Sequence, residues 1–156
     1  MQASGTSPAD ALAEELTAAT SLLNVLEQEQ ACLVQGDVDG VSRLTGEKTS
    51  LVTRMTDLAR RRHRTLGANG FSADEAGMQD WLGSGSADDA ACWSALLDTA
   101  RKARELNRTN GLLISQQMTR NQLALNILQG SQQGGSIYGP NGQAASKTSS
   151  RRLVVG

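Results

Sequence analysis

His63 is the only histidine of the chain, and it stands inside the run Arg60-Arg61-Arg62-His63-Arg64. Neighbouring guanidinium charges disfavour an imidazolium, so His63 is poorly placed to shuttle protons. Cys32 and Cys92 are the two thiols, with no Cys-x-x-Cys between them. Neither a thiol nor any serine has an evident base beside it, which a nucleophile needs. A metal site takes three or four ligands at suitable spacing, and two distant cysteines with one histidine do not supply them. These residues predict no enzyme, no cofactor and no metal. Two unmatched thiols in a chain without an export signal predict reduced cysteines and a cytoplasmic location.

The arginine run is the best cue for nucleic acid, yet it lacks the interleaved aromatics on which single strands stack. Charge distribution offers a simpler account. Residues 1–40 carry Asp10, Glu14, Glu15, Glu27, Glu29, Asp37 and Asp39 and no Lys or Arg, whereas the whole chain sums to −1. An acidic first element beside a basic remainder predicts pairing within the molecule and no nucleic-acid partner. Gly83-Ser84-Gly85 lacks the strand and third glycine of a nucleotide fingerprint. No stretch approaches the ~18 apolar residues of a membrane span, so no membrane insertion is expected.

What remains is recognition. The stretch 107–130, "NRTNGLLISQQMTRNQLALNILQG", is helical in composition, but asparagines sit where leucine would be expected. At ~100° per residue, Leu96, Ala100, Ala103, Asn107, Gly111, Ile114, Met118, Asn121, Leu125 and Leu128 share one face. Leu106, Leu113, Ala124 and Ile127 flank it. An amide in a helical seam costs stability unless partnered, and in return fixes register. Two accounts stay open. The amides pair with groups such as Thr45, Glu47 or Ser50 of a neighbouring helix, or the C-terminal half is a docking surface satisfied by another protein. Gly111 would let a second backbone approach, and Met118 suits an adaptable groove.

The elements that position this stretch follow from caps and periodicity. Ser7-Pro8-Ala9-Asp10 opens a first helix on Leu12, Leu16, Ala19, Leu23, Leu26 and Leu33, and Gly36 stops it. Asp37 caps a second helix with a seven-residue rhythm at Val41, Leu44, Leu51, Met55 and Leu58. Lys48 and Arg62 occupy its remaining seam positions, and Gly67 closes it. So short a link predicts an antiparallel hairpin. Within the glycine-rich connector 67–86, Ser72 and Glu75 spell a capping box for a short helix near 73–82. That helix should rest on the hairpin through Phe71, Met78, Trp81 and Leu82. Ser86 caps a third long helix running to Gly130, about 65 Å against roughly 42 Å for the first, so about 20 Å of it should outreach the hairpin. Residues 131–156 are rich in Gly, Ser and Gln and are expected to form a flexible tail. The predicted fold is all-α: an antiparallel bundle or coiled coil of three long helices with a short connecting helix over 1–130, and a C-terminal tail over 131–156.

Laid out this way, the chain resembles the flagellar type III export chaperones of the FlgN family. Four stretches carry the resemblance: "LEQEQACLVQGDVDGVSRLTGEKTSLV", "LNRTNGLLISQQMTRNQLALNIL", "YGPNGQ" and "RRLVV". It implies a small cytosolic chaperone that keeps the hook-associated (junction) proteins FlgK and FlgL unassembled and escorts them to the export gate. The clients would be captured by their amphipathic C-terminal helices. The resemblance implies a client surface at Asn110, Ile114, Met118, Asn121, Leu125 and Leu128. It implies docking on the gate component FlhA at Tyr138, Gly139 and Gly142. The glycine-rich connector departs from the family's pattern. The alternative reading is a structural coiled coil that self-associates through the third long helix into a homodimer.

Overall fold

A computed structural model of the chain describes the backbone over residues 7–134 and side chains over 7–131. The described elements are helical throughout. Ser7 opens the chain: its Oγ accepts from the Ala9 amide at 3.2 Å while its own amide donates to Asp10 Oδ2 at 2.7 Å. This closed capping box starts a single 3₁₀ turn, Pro8–Ala11, which leads into α1, Leu12–Gln35. Gly36 takes the left-handed conformation, φ 72°, that ends α1. Asp37 then accepts from the Gly40 amide at 3.0 Å and caps α2, Val38–Ala68.

Two of the expected glycine stops differ. Gly67 lies inside α2, and the left-handed turn falls at Gly70, φ 82°. The Asn69 side chain closes the helix instead, donating to the Thr65 carbonyl at 2.7 Å. Gly130 likewise stays helical, and α4 runs over Ala87–Gly134, 48 residues or about 72 Å. A glycine weakens a helix by ~1 kcal/mol relative to alanine, but it stops one only where the chain needs positive φ. Ser86 caps α4 as expected, accepting from the Asp89 amide at 3.1 Å.

Between them, α3 covers Glu75–Leu82. Its cap is Asp74 rather than Ser72: the carboxylate accepts from the Gly77 amide at 2.8 Å, and Ser72 Oγ donates to that same carboxylate at 3.1 Å. Those bonds, the Gly77 amide foremost, hold the Asp74 carboxyl below its usual range. At Gly77 the α3 backbone runs so close to Ser72 that an added Cβ would overlap the Ser72 carbonyl. Gly77→Ala is therefore expected to cost about 1–3 kcal/mol by forcing the turn apart, read as a lowered urea midpoint with an unchanged m-value.

The chain divides into two compact units, Met1–Ile114 and Ser115–Gly156. In the first, ion pairs fix the hairpin. Glu29 pairs with Lys48 and Glu15 with Arg62, so moving fourteen positions back along α1 moves fourteen forward along α2. The two helices are antiparallel. Trp93 of α4 packs beside Leu12, and Asn110 bonds Leu26 and Glu29, so α4 runs parallel to α1 across this unit. Leu12, Ala19, Leu66, Met78, Trp93 and Leu96 form the main core, with Phe71, Trp81 and Leu82 packed against it. The short helix thus rests on the hairpin by the four residues expected of it.

Candidate partner-binding surface

The acidic helix and the basic remainder do pair. Arg62 binds Glu15 through two nitrogens, Nε to Oε1 at 2.8 Å and Nη2 to Oε2 at 3.3 Å, and lies 4.7 Å over the Trp93 ring. Arg54 reaches Glu14 at 3.8 Å across the surface. Of the rest of the basic run, Arg60, Arg61 and Arg64 are exposed, Arg60 meeting Asp57 of its own helix at 3.9 Å, and His63 is half-buried. Among the described residues no group of three His, Cys, Asp or Glu side chains could hold a metal. Both cysteines are free thiols. Burial, and beside Cys32 the Asp37 carboxylate, push both thiols above their ordinary range, away from the thiolate a nucleophile requires.

A second polar layer joins three helices. Lys48 Nζ contacts Glu29 Oε2 at 2.9 Å and donates to Asn107 Oδ1 at 3.5 Å. Asn110 Nδ2 donates to the Leu26 carbonyl and to Glu29 Oε1, both at 2.9 Å. Expected on the client face, Asn110 is instead 1% exposed and committed to α1. It belongs to this protein's own core because both of its donor bonds go to α1, at Leu26 and Glu29. The amides of α4 therefore divide. Asn107 answers to α2, though through Lys48 rather than Thr45, Glu47 or Ser50, while Asn121 is exposed. Among the described residues nothing closely approaches Gly111: a Cβ there would meet nothing within 4 Å.

Beyond this layer the character of α4 changes. Ile114 is half-buried, and every residue from Met118 to Ser131 is exposed. Met118, Leu123, Leu125, Ile127 and Leu128 are each more than half exposed. Over 87–108 the helix carries Asp88, Asp89, Asp98, Arg101, Lys102, Arg104, Glu105 and Arg108; over 109–134 its only charge is Arg120. A solvated helix face is normally rich in charge, and interface cores are depleted of it. Met118, Asn121, Leu125 and Leu128 thus lie on one exposed row. Leu123, also exposed, was not singled out by the periodicity, and Ile127 was assigned only to a flank. Tyr138, Gly139 and Gly142 lie outside the described residues.

Fold and surface together define an all-α bundle whose last helix displays a charge-poor apolar segment. Comparison with known proteins makes the family specific. The profile of the FlgN protein family matches residues 1–146. The flagella synthesis protein FlgN of Salmonella typhimurium is 31% identical over 140 residues, covering 86% of this chain and 90% of that one. Its counterpart in Escherichia coli K12 is 30% identical over 141 residues, with the same coverages of 86% and 90%. A crystal structure described as a flagella synthesis protein FlgN from Pseudomonas aeruginosa superposes with a TM-score of 0.60 at 25% identity. It covers 74% of this chain and 92% of that one. This chain belongs to the FlgN family.

Proposed function

We propose that this protein is a cytoplasmic export chaperone of flagellum assembly. It binds the C-terminal segments of the hook-associated proteins FlgK and FlgL, keeps them from assembling early, and hands them to the export gate component FlhA. The observation that carries this reading is the exposed, nearly uncharged apolar row Met118, Asn121, Leu125 and Leu128 on α4. Such a row is a template for an amphipathic helix, which docks apolar residues at spacings of three and four. Membership in a family whose relatives are named flagella synthesis proteins supports the flagellar setting. Binding of this kind needs no catalytic group: covering the client's sticky helix is the whole chemistry. No described helix is long and apolar enough to cross a membrane. Gate docking is assigned to Tyr138, Gly139 and Gly142 in the tail.

The test is capture of a labelled FlgK C-terminal segment, followed by fluorescence anisotropy. Met118→Glu with Leu125→Glu is expected to weaken binding about tenfold or more, because two carboxylates must then be desolvated against apolar partners. Helicity should be unchanged, since both side chains are already exposed. Binding equal to that of the unmodified protein would move the docking face elsewhere.

A further inference from the structure

The exposed part of α4 carries apolar residues in two rows set too far apart around the helix for one neighbour. With Leu123 at 0° and ~100° per residue, Ile127 falls near 40°, Ala124 near 100°, Leu128 near 140°, Leu125 near 200° and Met118 near 220°. The uncharged polar residues Ser115, Thr119, Gln122, Asn126 and Gln129 fill the sector from about 240° to 320°, while Gln116 near 20°, Ser131 near 80°, Gln117 near 120° and Asn121 near 160° are interspersed among the apolar residues. The two apolar rows, at about 0–40° and 140–220°, together spread over about twice the ~100° stripe that one packed neighbour covers. Leu123 at 56% and Ile127 at 71% exposure are as open as the row at Met118 and Leu125. Arg120, the only charge in 109–134, sits near 60° on the wheel, between Ile127 and Ala124. It has no ion-pair partner among the described residues.

We infer that residues 115–131 form a two-sided seat, enclosed by two amphipathic helices of one partner chain. The helix over Leu123 and Ile127 carries a carboxylate facing Arg120. This rests on the client-binding reading and extends it. Area favours enclosure over pairing with a second copy. A specific interface buries about 800 Å² per partner. A 17-residue helical segment is about 24 Å long, and one seam along it offers roughly 300 Å², whereas both rows together offer roughly 600 Å². A twofold dimer through one seam would fall well short and leave the other row wet. One chain supplying two helices meets both rows and fixes its orientation through Arg120.

The experiment uses the full chain and the same FlgK C-terminal segment. Leu123→Gln with Ile127→Gln, uncharged and helix-compatible, is expected to weaken binding about tenfold with the circular dichroism spectrum unchanged. Arg120→Glu is expected to weaken it several-fold, with the loss shrinking at high salt. Complexes should scatter light as one chaperone to one client. If the Gln pair binds normally while the Met118→Glu, Leu125→Glu pair does not, the seat is one-sided: the inference fails and the chaperone reading stands. If neither pair weakens binding, the client surface itself has been misassigned. Complexes or free protein containing two chaperone chains, dissociated by the Gln pair, would show a second copy on this row and overturn the enclosure.

Discussion

Arg62→Met is expected to destabilise the protein by about 3–5 kcal/mol, the cost of removing one partner from a buried ion pair. Glu15 is only 4% exposed and takes both of its nitrogen contacts from Arg62. With methionine at 62 the carboxylate stays in the core with no cation. The pair is not an asset in itself, because Arg62 Nη1 and Trp93 Nε1 are buried without an acceptor among the described residues. Replacing both members, Glu15→Leu with Arg62→Met, is therefore expected to recover most of the loss. Urea unfolding at neutral pH of the two single variants and the double variant measures this. A single-variant cost below about 1 kcal/mol, typical of exposed pairs, would show that water reaches Glu15.

That pair also marks where sequence reading reached and where it stopped. Lys48 and Arg62 fall on the heptad seam of α2 by spacing alone, fourteen apart. Glu15 and Glu29 are likewise fourteen apart on α1, the complementary signal, but acids of α1 read only as net charge are never placed on its inner face. The buried residues Leu96, Ala103 and Asn110 of α4 repeat every seven. A wheel at 100° per residue drifts ~20° per heptad from such a seam, so its stripe includes Asn107 and leaves out Asn110, which only the family resemblance placed on the client face. Gly36 was legible as a stop because Asp37 immediately caps the next helix. Gly67 and Gly130 lack such a following cap. Leu123 was missed, and Ile127 left on a flank, because a search for one apolar face does not look for a second. The bundle's periodicity was thus readable, while side-chain pairing across helices was not.

The second polar layer should behave differently from the first, because a buried amide of α4, Asn110, is hydrogen-bonded into it. Lys48→Met is expected to cost about 3 kcal/mol or more, since Glu29 is 1% exposed and would keep only the Asn110 amide. Here the apolar double replacement, Glu29→Leu with Lys48→Met, should not recover the loss. It leaves Asn110 buried with one donor hydrogen satisfied by Leu26 and the other newly unpaired, beside an Oδ1 that already has no partner among the described residues, a cost of about 1–3 kcal/mol. Recovery should need Asn110→Leu as a third change. That triple variant would have a continuous apolar seam at Leu96, Ala103 and position 110, repeating every seven residues, with nothing polar to distinguish one heptad alignment of α4 on α1 from the next. It is expected to be as stable as the unmodified protein in urea yet to show doubled or broadened amide resonances from α4. If the triple variant instead gave one sharp set of resonances, the core cluster around Trp93 and Leu96 would be setting the register by shape, and the buried amide would contribute stability alone.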